Sequence, residues 1–153
     1  MNIVLLTEEL IPNQTPNERQ IMPLKFVSKP TLKWRKINTV TEDDEEVEIE
    51  VLCVCVEIEN TDNVDKTAAI TFRGYIPSSA RPPGPDHEET LCEDLQVKVP
   101  KHRTVTKCCC SYTRTLIGIA NWSGWLVASS PEISEQATTE HTPLTVPPTP
   151  KPN

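Results

Sequence analysis

The clearest hydrophobic pattern in the chain is an alternation in its first half. Between Val47 and Val51, apolar residues occupy every second position and glutamates lie between them. This spacing of two predicts a β-strand with one apolar face. From Leu52 to Ile58 both faces become apolar, which predicts that the centre of the strand is buried on both sides or contains a bulge.

Shorter stretches with the same spacing follow, separated by turn-forming residues. They predict further strands over 24–27, 32–37, 67–76, 91–99, 104–112, 116–120 and 125–128, with a hairpin turn at 121–124. The sequence shows no convincing helical period and no internal repeat. The pattern therefore predicts an all-β chain, an antiparallel β-sandwich of immunoglobulin-like or jelly-roll type with roughly seven to nine strands.

Composition divides the chain into a central domain and two flanking segments. Residues 1–22 are an N-terminal arm, residues 23–130 hold the predicted strands, and residues 131–153 are a tail dominated by Pro and Thr. The β-prone stretch of the arm consists of Ile3, Val4, Leu5 and Leu6. The arm is either a frayed terminus or a strand that pairs with a neighbouring subunit's sheet edge. The tail is either disordered or docks in an extended form along another subunit.

Length and charge exclude several classes of protein. The chain has 153 residues and a formal net charge of −7, which suits one domain with tails and disfavours nucleic acid as a partner, since phosphates require a basic face. Its longest apolar runs are far shorter than the roughly 18–20 residues of a membrane span, so we expect no membrane insertion. The stretch from Met1 to Glu9 lacks a basic segment and a long apolar run, so we expect no secretory signal peptide there.

The six cysteines are the strongest chemical signal. They are Cys53, Cys55, Cys92, Cys108, Cys109 and Cys110. Their number predicts disulfides, which persist outside the reducing cytosol. Strand residues at spacing two share a face, so pairs such as Cys53 with Cys110 form if their strands are neighbours, and bridges between sheets form if the strands lie in opposite sheets. On this count Cys92 and Cys109 point outward and bond within the chain or to another subunit.

Other chemistries fit the residues less well. Zinc would need the thiolates of both cysteine runs, but two cysteines at spacing two in a strand lie about 7 Å apart. Inert buried thiols are a further alternative. A Cys92–His102 pair is the candidate for nucleophilic catalysis, and neither a G-x-S-x-G motif nor a phosphate loop accompanies it. The acidic run Glu42–Glu46 lacks the glycine of a helix-loop-helix calcium site. We expect no enzyme activity, no metal and no cofactor.

Two functions fit these observations. The first is a structural subunit that assembles with copies of itself into an extracellular, cell-surface or spore-surface filament or layer, stabilised by disulfides and by strand or arm exchange. The second is a monomeric β-sandwich module that binds a carbohydrate or a protein. In that case Trp122, within the predicted turn, and Trp125, directly after it, stack on the ligand unless they pack within the domain.

Overall fold

A computed structural model describes residues 23–77 and 87–150. Within these two ranges the chain forms nine strands and one helix. The elements are β1 (Leu24–Phe26), β2 (Thr31–Val40), β3 (Glu46–Asn60), β4 (Lys66–Ile76), β5 (His87–Thr90), β6 (Leu95–Val99), β7 (Thr104–Cys109), α1 (Thr113–Asn121), β8 (Trp125–Ser130) and β9 (Ile133–Thr138). The predicted antiparallel, sandwich-like all-β fold is confirmed.

The strands form two antiparallel sheets, each built on one long central strand. In the first sheet, β1 and β2 pair with one edge of β3, and β7 pairs with the other edge. In the second sheet, β5 and β8 pair with opposite edges of β4, β6 pairs with the first half of β4, and β9 pairs with β8. The chain crosses between the sheets after β3, after β6 and again through α1, so the three crossings tie the two layers together.

The hydrophobic core lies between the two sheets. Its fully buried central residues are Leu52, Val54, Val56, Ile58, Ile70 and Phe72. Side chains alternate along a strand, so Cys53 and Cys55 lie on the opposite, outer face of β3. The two apolar faces predicted for this strand thus have different roles. One face forms the core, and the other carries cysteines.

The segment from Thr113 to Asn121 is a helix, and the strand and hairpin turn predicted over 116–124 are wrong. Leu116 and Ile119 lie one turn apart and are both buried, so the helix closes one end of the sandwich. The residues read as a turn are the end of this helix, where the Gly124 N–H donates to the Ile119 carbonyl at 2.7 Å. Ser123 has a φ of 59°, the left-handed conformation usual after a helix.

The second sheet continues past residue 130. Strand β9 lies in the segment that composition assigns to the tail, and Ile133 and Ala137 bury its inner face. Beyond it, Leu144 and Val146 pack against the core, so the described part of the tail lies on the domain. The described helix is far too short to span a membrane.

Candidate functional site

Two disulfides connect β3 and β7 side by side within the first sheet. Cys55 lies directly opposite Cys108, and the same register brings Cys53 opposite Cys110. The Cα atoms of the two bonded pairs are 4.1 and 4.2 Å apart. This distance is typical of antiparallel residue pairs that do not hydrogen-bond to each other, whose side chains come closest. The predicted cross-strand pairing of Cys53 with Cys110 is confirmed.

The third disulfide joins Cys92, between β5 and β6, to Cys109 of β7, and it crosses from one sheet to the other. Cys109 is buried in the core, and Cys92 packs against the same core. The outward orientation predicted for these two residues is therefore wrong. For Cys109 the alternation was counted correctly, but the core lies on the Leu52 face of β3 rather than on the Val47 face. Cys92 lies between β5 and β6, where the alternation of a strand does not apply.

All six sulfurs are consumed by bonds within the chain. A disulfide sulfur is neither a thiolate ligand nor a nucleophile, so the zinc alternative, the buried-thiol alternative and the Cys92–His102 pair are wrong. His102 instead lies 2.7 Å from the side-chain oxygen of Asn63. Any contact between copies in this state of the chain must be non-covalent, because no thiol is left to form an intersubunit bond.

Strand β2 has a free edge. Its partner β3 hydrogen-bonds to the odd-numbered residues of β2. Cys53 and Cys55 make disulfides to β7 but no backbone hydrogen bonds with it, so their backbone groups point toward β2. The even-numbered residues of β2 then direct theirs away from the sheet. In the described ranges no backbone hydrogen bond reaches them. The residues on this edge are Leu32, Trp34, Lys36, Asn38 and Val40.

The matching edge of β3 supports this assignment. The Leu52 N–H points away from β2 and donates to the Thr113 hydroxyl oxygen at 3.0 Å, at the start of α1. Beyond this point β7 no longer accompanies β3. The distal halves of β2 and β3 therefore project as a two-stranded ribbon, which is marginally stable without further partners.

The free edge combines positive charge with exposed apolar surface. Strand β2 carries Lys33, Arg35 and Lys36 and no acidic residue, although the whole chain has a net charge of −7. Next to these cations, Ile37 and Ile49 face each other across the ribbon and remain 37% and 41% exposed. Natural proteins usually shorten, cover or distort such an edge. This one is ten residues long and has an unbroken register with β3.

The far end of the first sheet is closed by a polar network. The side-chain amide of Asn60, fully buried, donates to the carbonyl oxygens of Val64 and Val99, both at 2.9 Å, and its oxygen accepts from the Asp62 N–H at 2.8 Å. Nearby, the Lys101 N–H donates to Asp65 at 3.0 Å. These contacts fix two of the three crossings between the sheets.

Backbone donors also lower the pKa values of two carboxyl groups in this region. The Asn63 N–H beside Asp62 holds the pKa of that carboxyl below its usual value, and Lys66 lowers it further. The Lys101 N–H likewise holds the pKa of Asp65 below its usual value. Both carboxyls are therefore favoured in their charged form, as expected of structural groups that accept hydrogen bonds.

The tryptophans of the alternative binding site have different environments. Trp122 ends α1 and is 54% exposed, whereas Trp125 stacks on Tyr75 with ring centroids 5.3 Å apart and an interplanar angle of 12°. Burial raises the pKa of Tyr75, and its hydrogen bond to Glu88 raises it further. Trp125 is thus engaged within the domain, and Trp122 alone presents a largely exposed ring.

The predicted assembly residues Ile3, Val4, Leu5 and Leu6 lie outside the described residues. In the sequence, Pro30 and the lysines at 25, 33 and 36 are typical of edge strands, but they do not show which backbone groups are unpaired. Among the described residues, no cluster of three or more metal-ligating side chains occurs.

Comparisons of the chain with protein-family models, curated proteins and solved structures give no match.

Proposed function

We propose that the protein is a structural, non-enzymatic subunit that assembles with copies of itself into an extracellular or surface filament or layer. Three disulfides in one small domain fit a protein that works outside the reducing cytosol. The observation that carries the proposal is the free edge of β2. A long, regular and partly apolar edge is a template for an additional strand.

The added strand in this proposal is the N-terminal arm of a neighbouring copy. Its apolar stretch from Ile3 to Leu6 continues the surface of Ile37 and Ile49, and Glu8 and Glu9 complement the cations of β2. Two β2 edges pair less well with each other, because antiparallel pairing about Lys36 would place like charges together. The 16 residues from Thr7 to Met22 span up to about 50 Å when extended, enough to reach an adjacent copy.

Electron microscopy and sedimentation of the oxidised full-length chain test the proposal. We expect filaments or sheets, and we expect Asn38→Pro to abolish them. The Asn38 N–H points away from β3, so proline there removes a donor needed by an incoming strand while it spares the β2–β3 ladder. Asn38→Ala keeps the N–H and is the matched control that should still assemble. A wild-type chain that remains monomeric at high concentration would rule the function out.

The second candidate is a monomeric binding module, favoured by the exposed ring of Trp122. Aromatic rings at a surface stack on sugar rings or on apolar side chains. Tryptophan fluorescence measured against a panel of glycans separates the two candidates. A monodisperse particle whose emission responds to a glycan, and no longer responds after Trp122→Ala, would support this second function and contradict the first.

A further inference from the structure

The tail that follows β9 occupies a defined surface. The Trp34 indole N–H donates to the carbonyl oxygen of Pro147 at 2.8 Å, and Leu144 and Val146 pack against the core. Closer to β9, the Lys29 ammonium donates to the Thr142 hydroxyl at 2.8 Å. Residues 142–147 therefore follow the first sheet.

The surface beneath the tail is the inner face of β2. Leu32 and Trp34 lie opposite Val54 and Leu52, so their side chains share the core face of the sheet. In the described ranges β2 packs on β3 and has at most marginal contact with the strands of the second sheet. The tail contacts this part of β2, which the strands of the second sheet leave uncovered. We call the surface formed by Leu32 and Trp34 the tail groove.

The tail is held as a bound peptide would be held. No backbone–backbone hydrogen bond links residues 143–150 to the rest of the described chain, and the segment has no regular secondary structure. Prolines at 143, 147, 148 and 150 restrict it to extended conformations, so little entropy is lost on docking. Other grooves recognise proline-rich segments through the same elements: an aromatic hydrogen-bond donor, a backbone carbonyl and apolar side chains.

We propose that the tail groove is a binding site for the proline-rich stretch Leu144–Pro148, and that in the assembled protein the tail of a second copy occupies it. This rests on the proposed self-assembly. Thr139 is fixed to Leu126 by two hydrogen bonds, of 2.9 and 3.0 Å, so the exchange pivots on the exposed residues 140–143. The contacts are the same in either arrangement, and only the connection changes.

Local concentration decides which arrangement prevails. A short flexible connection gives the chain's own tail an effective concentration on the order of 1 mM at its groove. Free copies in dilute solution therefore keep their own tails. Copies held side by side by another contact reach comparable local concentrations, so exchange occurs within the assembly.

The experiment uses a full-length acceptor, Leu144→Asp/Val146→Asp, whose own tail cannot pack into the groove. It is made in the Asn38→Pro background, so that the result does not depend on assembly at the β2 edge. The probe is a synthetic peptide of residues 141–153, and the readout is the NMR signal of the Trp34 indole N–H. We expect the peptide to return this signal to its wild-type position. The tail of the wild type docks at an effective concentration of about 1 mM, so the peptide concentration that produces half of the shift should lie below this value.

A peptide with Val146→Asp is the matched control and should leave the signal unchanged. If the aspartates unfold the acceptor, Leu144→Ser/Val146→Ser replaces them. Unlabelled full-length chain carrying Trp34→Ala, whose own groove has lost the ring that holds its tail, then replaces the peptide at the same concentration as a second copy and should shift the signal in the same direction. If the wild-type peptide at about 1 mM leaves the Trp34 signal unchanged, the proposed binding site is wrong. Peptide binding without any response to the second copy overturns the exchange between copies.

Discussion

Cys92, between β5 and β6, is bonded to Cys109 of β7, and of the three disulfides this is the one that joins the two sheets. It closes a loop with a sequence separation of 17 residues. A loop of this length corresponds to about 3 kcal/mol of stability in the chain-entropy description. We expect Cys92→Ala/Cys109→Ala to lower the free energy of unfolding by about this amount, as measured in urea. A loss below about 1 kcal/mol would show that the sheets do not depend on their covalent link.

The two bonds between β3 and β7 are nested, so their losses should not add. Either bond alone still closes the long loop, whose sequence separation is 53 or 57 residues. Removing Cys53–Cys110 or Cys55–Cys108 singly should therefore cost about 2 kcal/mol, while removing both adds the long-loop contribution of about 4 kcal/mol. A double-mutant cycle with paired alanine variants measures the difference. Strict additivity would mean that the bonds act independently.

The buried amide of Asn60 tests how much the hydrogen bonds at the crossings between the two sheets contribute to stability. Asn60→Asp keeps the size of the side chain but replaces two donated hydrogen bonds with a buried negative charge that faces two carbonyl oxygens. We expect a loss of about 3 kcal/mol or more at pH 7. Asn60→Ala, which removes the amide without adding charge, should cost less. Equal losses of stability for the two variants in thermal denaturation would indicate that Asn60 acts through packing and not through hydrogen-bond donation.

Gly74 of β4 lies directly against Ile119 of α1. A Cβ built at Gly74 would collide with Cδ1 of Ile119. Gly74→Ala should therefore cost about 1–3 kcal/mol, and Ile119→Val about 1 kcal/mol. Because valine lacks the colliding methyl group, the double variant should cost less than the sum of the two. A cycle with no coupling energy would contradict the close approach described here.

Acid should weaken the crossings between the sheets. Folding lowers the pKa of Asp62 and of Asp65, so both carboxyls contribute stability above their unfolded value of about 3.9 and lose it as the pH falls through the folded value. We expect the melting temperature of the wild type to exceed that of Asp65→Asn at pH 6, and the gap to narrow as the pH falls through the lowered pKa of Asp65. A gap that is independent of pH would exclude the charge as its cause.

The sequence predicts the sheets better than it predicts the helix. Val47, Ile49 and Val51 alternate with glutamates, and β3 follows that pattern over its exposed half. The helix α1 was missed because Thr113, Thr115, Ile117 and Ile119 are β-branched at spacing two, which is typical of a strand. Its conformation is decided by burial of Leu116 and Ile119 at the end of the sandwich. The intrinsic helix and strand propensities of these residues do not predict that tertiary contact.

The site was predictable in its parts but not in its arrangement. Spacing alone indicated that Cys53 and Cys55 share a face, and that Cys109 faces away from Cys108 and Cys110. It did not show which face of the strand is covered, because Val47 and Leu52 begin two apolar series on opposite faces. The free edge of β2 depends on which neighbour each strand has. That is a property of the whole fold, and no local pattern records it.

The nested cysteines give the molecule a path for mechanical load. A pull applied to β3 passes to β7 through two covalent rungs rather than through hydrogen bonds that open one at a time. From β7 the Cys109–Cys92 bond carries the tension into the other layer. A domain stretched between neighbours would therefore yield at elements held without covalent links, such as the β2–β3 ribbon, while the β3–β7 pair would hold until a sulfur–sulfur bond broke.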